Sequence, residues 1–266
     1  MTLDMIFSTF GDRIYSLLEK LPKQKNITRL IIIHQTNNKN YSNINKIIEK
    51  RSDIFYYPIN SKGVTKSRNY GIGKATSDII LFCDDDVTYT TNFQNEILNQ
   101  YIANPDMDFI TFAYSHDPNM HSFASKFLPV SFKHSLKSIL KIGTIEVSLR
   151  RSAIINKNIK FPEDMGAGTK YFLCDEPVFL SQLLKNKCNG MYCPIIIGYH
   201  PEESSGSTFN NHYAFASRYL CFTRIFGSFL GLGLYYLYLA KNFNKFKALS
   251  DVNNALFIMF KMKHDK

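Results

Sequence analysis

The sequence has no Cys-x-x-Cys pair, and its five cysteines, Cys83, Cys174, Cys188, Cys193 and Cys221, show no His/Cys spacing of a zinc site. Their odd number argues against a closed disulfide framework, so they read as reduced, mostly buried thiols. The first residues carry Asp4 and Asp12 and lack a basic start, an apolar run and a small-residue cleavage site. That predicts no secretory leader and a cytoplasmic chain. No internal repeat or low-complexity block stands out, and no RNA-binding signature accompanies the positive charge, so nucleic acid is not expected as a partner. A spanning helix needs about 20 apolar residues. The uncharged run at 225–240 stops at 16.

What is present is a chain of 266 residues, 45% hydrophobic, long enough for one large α/β domain or a domain with an appendage. The net charge of +10 is unevenly placed: residues 218–266 hold eight Lys/Arg against two Asp. Short apolar runs at 4–10 and 29–36 flank an amphipathic pattern of Ile14, Leu17, Leu18 and Leu21 closed by Pro22, which predicts strand, helix, strand. A helix over about 42–51 and a strand at "IFYYP" follow, then a loop "GVTKSRNYGIGKA" feeding a helix, and a buried fourth strand "DIILFCDDD". "NFQNEILNQYIANP" reads as a helix, "DFITFAYS" as a strand, "TIEVSLRRSAII" as a strand entering a helix, and "PEESSGSTFNN" as a flexible loop. This alternation implies a parallel sheet, whose ligands bind beyond the carboxyl ends of the strands.

The fourth run ends there in Asp84, Asp85 and Asp86. Adjacent carboxylates repel, which predicts a cation at this point. On an extended backbone Asp84 and Asp86 share one side, and such oxygen ligands suit Mg²⁺ or Mn²⁺ that also holds phosphate. Asp85 would then face another group, such as a ribose or sugar hydroxyl. Lys66 and Arg68 lie upstream, where they could neutralise phosphate or contact a nucleotide. His200 follows an apolar strand, and Asp175 with Glu176 opens an amphipathic helix, where a helix dipole alone would also account for acids.

Five pieces in order, "IFSTFGDRI", "GVTKSRNYGI", "ILFCDDDV", "GAGTKYFLCDEPVFL" and "GYHPEESS", resemble glycosyltransferase family 2 over roughly residues 4–205. The resemblance implies the inverting GT-A fold, an α/β domain with a Rossmann-like, mostly parallel sheet flanked by helices, over 1–208. Residues 209–266 would add a helical, apolar and basic region. It implies a metal, Mn²⁺ or Mg²⁺, on Asp84, Asp86 and His200. A nucleotide-diphosphate sugar would meet Thr9, Gln35, Lys66, Arg68, Asp84 and Asp85. The base aligns with Glu176, with Asp175 a candidate because the usual Glu-Asp pair is reversed. Gly166 and Gly168 would let the backbone approach the acceptor. UDP is the favoured nucleotide, although His34-Gln35-Thr36 stands where the family's second strand ends in aspartates, which leaves the base open. The implied acceptor is a hydroxyl of a glycan or lipid-linked glycan, in bacterial surface-polysaccharide synthesis.

Two other readings use the same residues. "DDDVT" fits the Asp-x-Asp-x-Thr pattern of haloacid dehalogenase-like phosphatases, with Asp84 as nucleophile, Asp86 as acid/base and Thr88 on phosphate, but that motif normally follows the first strand. A non-enzymatic basic module that binds membrane or nucleic acid is the third. For the 225–240 run, Tyr235, Tyr236 and Tyr238 and the flanking Lys/Arg predict peripheral attachment to an anionic membrane, at the inner face of the cell membrane. Packing on the catalytic domain or in a homo-oligomer is the alternative.

Overall fold

Strands β1 (Leu3–Phe10), β2 (Thr28–Gln35), β3 (Ile54–Ile59) and β4 (Ile79–Asp84) alternate with helices α1 (Arg13–Lys20), α2 (Asn43–Ile48) and α3 (Val64–Lys74) in the computed structural model, which describes residues 1–119, 122–200 and 208–258. Of the loop expected over 201–211, residues 201–207 lie outside the described residues and 208–211 form neither helix nor strand. These four strands pair in parallel in the order β3-β2-β1-β4. Side chains alternate between two cores. Leu3, Met5 and Phe7 of β1, Leu30 and Ile32 of β2, and Ile79 and Leu81 of β4 fill one face, while Ile6, Ile31, Ile33, Ile80 and Phe82 fill the other. Burial on both faces is why these runs are continuously apolar rather than alternating. Each such side chain contributes about 1.5–3 kcal/mol by leaving water.

The chain continues through β5 (Thr88–Tyr89), α4 (Phe93–Ala103), β6 (Phe109–Ser115), β7 (Phe132–Lys133), β8 (Val147–Arg150), α5 (Arg151–Ile155), α6 (Asp175–Lys185) and β9 (Gly190–Tyr199). The sheet is not wholly parallel. β8 inserts antiparallel between β4 and β6, and β5 and β7 pair antiparallel with β9. The insertion matters for function, because an antiparallel strand brings its N-terminal end to the edge where β1, β2 and β4 finish.

Two further elements depart from expectation. "GVTKSRNYGIGKA" is helical almost from its start, α3 beginning at Val64, so Lys66 and Arg68 sit in its first turns and not on a loop. Helix formation here follows from packing on β1 and β2, which outweighs the poor propensity of Gly71 and Gly73. The apolar run at 225–240 is not one helix. α7 (His212–Phe226) ends at Gly227, whose φ of 82° suits glycine, and α8 (Ser228–Lys241) folds back on it before α9 (Leu249–Leu256). No described helix is long and apolar enough to cross a membrane.

Of the tyrosines expected at a membrane boundary, Tyr235 is packed inside this hairpin, and Tyr236 and Tyr238 are half-buried against its core. Tyr235 is fully buried and donates to Ala255 O at 3.0 Å, Tyr236 donates to Leu256 O at 3.0 Å, and the Tyr238 ring lies 6.0 Å from that of Phe209. Their apolar bodies serve a helix–helix core because α9 closes over them. The outward side chains of α8 are Phe229, Leu230 and Leu237 instead. The hairpin is tied to the sheet domain by the Arg224–Asp164 pair at 2.8 and 2.5 Å and by the Lys185 ammonium on Arg224 O.

Candidate active site

At the carboxyl ends of β1, β2 and β4 lies a cavity of about 800 Å³. Ser8 and Thr9 from β1, Gln35 from β2 and Asp84 from β4 reach it, and so do the N-terminus of α6 and the 143–146 turn that feeds β8. Arg218 of α7 and Tyr238 of α8 complete one wall, so the C-terminal helices share in the cavity.

The three aspartates part company. The strand ends at Asp84 and the backbone turns over Asp85 and Asp86, which gives each carboxylate its own partner. Asp85 is buried, accepts from the Thr9 hydroxyl at 2.7 Å and pairs with Arg13. Asp84 pairs with Arg68 at 3.3 Å. Asp86 lies 3.5 Å from Arg13 and 3.7 Å from His200 Nε2, and His200 is itself fixed by its backbone N–H on Ser115 O at 3.0 Å. Burial, the largest influence, pushes the carboxyls of Asp84 and Asp85 above their ordinary range.

Arg68 is the hub. Only 3% exposed, its guanidinium donates to Asp175 at 2.7 Å, Glu176 at 3.3 Å, Asp84 at 3.3 Å and the Thr144 hydroxyl at 2.5 Å. Thr144 in turn donates to Glu176. Burial and the neighbouring Glu176 push Asp175 up to about 8, against the pull of Arg68. Glu176 is the more open of the pair, with 16% of its side chain exposed against 5% for Asp175.

Lys66 does not join them. It is exposed and absent from the cavity lining, because residues two apart on a helix point about 200° apart. Lys62, just before α3, lines the cavity instead. Gln35 lines it, but its amide is engaged by Ser61 Oγ at 2.9 Å and Gly63 O at 3.1 Å. Gly166 and Gly168 face inward: a Cβ on Gly166 would meet Asp175 Cγ at 2.9 Å, and one on Gly168 would meet Gly63 N at 3.2 Å. Within the protein their close approach is to Asp175 and to the start of α3, and Gly168 lines the cavity. Thr88 is exposed on β5, paired with Tyr199, and outside the cavity, which removes the phosphate ligand of the phosphatase reading.

Thr144, Arg218 and Tyr238 carry no local motif, whereas Arg13 stands within "IFSTFGDRI", four residues after Thr9. The other three reach the cavity only through long-range pairing.

A metal finds a partial donor set. Among the described residues Asp86 Oδ1 is buried with no hydrogen-bond partner, and it faces His200, which suits an oxygen–imidazole cation site. Asp84 is turned toward Arg68, and among the described residues no three His, Cys, Asp or Glu side chains converge as a ready metal cluster.

The sequence model of the family described as Glycosyl transferase family 2 matches residues 9–146, just over half the chain. No curated protein sequence matches. Among solved structures, the chain is similar to Staphylococcus aureus TarS 1–349 in complex with UDP-GlcNAc, at 13% identity and TM-score 0.67, over 97% of this chain and 79% of that one. The UDP complex of the same protein gives 14% identity and TM-score 0.65, over 93% and 73%. The mannosyltransferase PcManGT of Pyrobaculum calidifontis, in complex with GDP-Man and Mn²⁺, gives 12% and 0.57, over 97% and 68%. At these identities the likeness establishes the fold, which is GT-A.

Proposed function

The chain belongs to glycosyl transferase family 2 and is a glycosyltransferase, and from that premise we propose that it moves a sugar from a nucleotide-diphosphate donor, UDP favoured, to a hydroxyl of a glycan or lipid-linked acceptor with inversion. The observation that carries this reading is the convergence of Asp84, Asp85, Asp86, Asp175, Glu176 and His200 on one cavity at the strand ends. The nucleotide-sugar complexes of the structural neighbours support the donor class, and the Mn²⁺ of one of them supports the cation.

Asp86 and His200, with Asp84, would hold Mn²⁺ or Mg²⁺, which supplies positive charge against the diphosphate leaving group. Thr9 and Arg13 hold Asp85 in place for a donor hydroxyl. The Glu176 carboxylate accepts the proton of the acceptor hydroxyl as that oxygen attacks the anomeric carbon and the bond to phosphate breaks on the opposite face. Thr144 and Arg68 orient Glu176 for this. Asp175, more deeply buried and raised in pKa by that burial, is the inner partner that keeps Arg68 in register.

The outward Phe229, Leu230 and Leu237 with the basic C-terminal segment support peripheral attachment to an anionic membrane surface, where a lipid-linked acceptor for surface polysaccharide would be met. The test of the donor and metal is thermal denaturation with UDP and GDP, in Mn²⁺ or in EDTA. UDP should stabilise far more with Mn²⁺, by linkage, and Asp86→Ala should remove the difference. Equal stabilisation in EDTA would overturn the metal assignment.

A further inference from the structure

Beside the reaction cavity lies a second one of about 340 Å³, within the range of small-ligand sites. The two share a wall made of Lys126, Lys141, Ile142 and Glu146. Lys126, half-buried, pairs there with the buried Glu146, and the Lys126 ammonium sits 5.0 Å above the rings of both Tyr114 and Phe127. The far side is aromatic. Phe127 is parallel to Tyr192 within 7° at 6.1 Å, and Phe132 lies 5.0 Å from Tyr192. The Tyr192 hydroxyl donates to Leu128 O at 2.9 Å, which pins this segment over the cavity.

The polar groups are placed to hold charge of one sign. Lys137 and Lys141 are exposed at the rim, and Glu146, the sole lining carboxylate among the described residues, already has Lys126 as its partner. His134 adds no positive charge at neutral pH. Its ring nitrogens meet Thr111 Oγ1 at 2.8 Å and Ser138 Oγ at 3.0 Å, and burial pushes its pKa down to about 4.

We propose that this second cavity is an acceptor subsite that takes a saccharide ring carrying an anionic group, its apolar face against Phe132 and Tyr192 and its charge toward Lys137 and Lys141. The proposal rests on the transferase reading: an acceptor whose hydroxyl meets Glu176 extends across the Lys126–Glu146 wall into the aromatic pocket. An aromatic face offers the C–H face of a pyranose a flat apolar contact, and two lysines at an open rim select for charge without requiring one anion geometry. A carboxylate on an acidic sugar and a phosphate substituent share this chemistry.

The experiment is a saturation-transfer NMR titration of the full chain with UDP and Mn²⁺ present, using methyl glucoside, methyl glucuronide and glucose 6-phosphate as probes. At least one charged probe should bind about tenfold more tightly than the neutral one, and the combined variant Lys137→Ala/Lys141→Ala should erase that preference. Phe132→Ala should weaken all three probes about tenfold. A stronger glucuronide identifies an acidic sugar, and a stronger phosphate identifies a phosphorylated one. Equal binding of the neutral probe, no binding of any probe, or binding unchanged by these variants overturns the proposal. The lysines are exposed, so their variant fold is not at issue, and UDP-dependent stabilisation of the same samples reports on the transferase reading separately.

Discussion

Replacing Arg68 by methionine tests the electrostatic core of the site. The substitution keeps an apolar stem of similar length and removes a buried guanidinium that serves Asp175, Glu176, Asp84 and Thr144 at 2.5–3.3 Å. Removing one partner of a buried ion pair costs about 3–5 kcal/mol. Two features reduce the loss here. Asp84 keeps 32% of its side chain in solvent and Glu176 16%, so water takes over part of their stabilisation. Asp175 can hold a proton, since its pKa already stands at about 8 with the arginine present. The expected destabilisation is therefore near the lower end, about 3 kcal/mol at pH 8. Its pH dependence has a fixed sign. Without the cation Asp175 moves further up, so the variant's folded state binds more protons than its unfolded state over a wider range, and its stability falls more steeply as pH rises. Urea denaturation in EDTA at pH 6 and pH 8 would measure this, with the smaller loss at pH 6. A loss under about 0.5 kcal/mol, which is ordinary for a surface substitution, or a larger loss at pH 6, would refute the assignment of Arg68 as the cation of the carboxylate cluster.

Glu176→Gln should lower transfer by roughly 10²-fold or more with nucleotide affinity nearly unchanged; a dead Asp175→Asn beside an active Glu176→Gln would move the base one residue back. Burial pushes Glu146 up to about 7 even though Lys126 faces it, so its contribution to stability is complete below its ordinary value and is lost as pH rises through about 7. Relative to Glu146→Gln, the native protein should lose about 3 kcal/mol between pH 5 and pH 8 in urea denaturation, and a gain would mean that the ion pair outweighs desolvation. Phe229→Ser combined with Leu237→Ser should release the protein from anionic liposomes in a flotation assay at low salt, without the damage to the cavity wall that removing α7 and α8 would do; unchanged flotation, or none by the native protein, places this patch in a protein interface.

The parallel half of the sheet was readable because burial on both faces leaves an unmistakable mark: β1, β2 and β4 are buried at nearly every position and are built around the unbroken apolar runs 5–7, 30–33 and 79–83. The site's first element was readable for the same reason, since carboxylates at the end of such a strand stand where ligands bind. What escaped was set by geometry that no short window contains. Lys66 and Arg68 look equivalent in "TKSRN", and only where α3 begins decides that Arg68 turns inward and Lys66 outward. Thr144 comes to Glu176 because β8 enters the sheet antiparallel, a pairing between segments far apart in the chain. Tyr235, Tyr236 and Tyr238 suggested a wet–apolar boundary from composition alone, but a glycine at 227 folds the run back and makes them a core.

The same geometry refines the inference from repulsion. Three successive aspartates at a buried strand end call for positive charge, and the protein supplies most of it from its own side chains: Arg13 answers Asp85 and Arg68 answers Asp84. Asp86 keeps a 3.5 Å approach to Arg13 and a 3.7 Å approach to His200, and its Oδ1 is buried with no hydrogen bond among the described residues. A buried carboxylate oxygen left in that condition costs more than a hydrogen-bonded one, by roughly 1–3 kcal/mol or more for a charged group. The proposed cation would meet Asp86 and His200 first, and Asp84 would reach it with the carboxylate oxygen that does not face Arg68. Asp84 and Glu176 are linked through one guanidinium, because the Arg68 that pairs with Asp84 is the same Arg68 that, with Thr144, contacts Glu176.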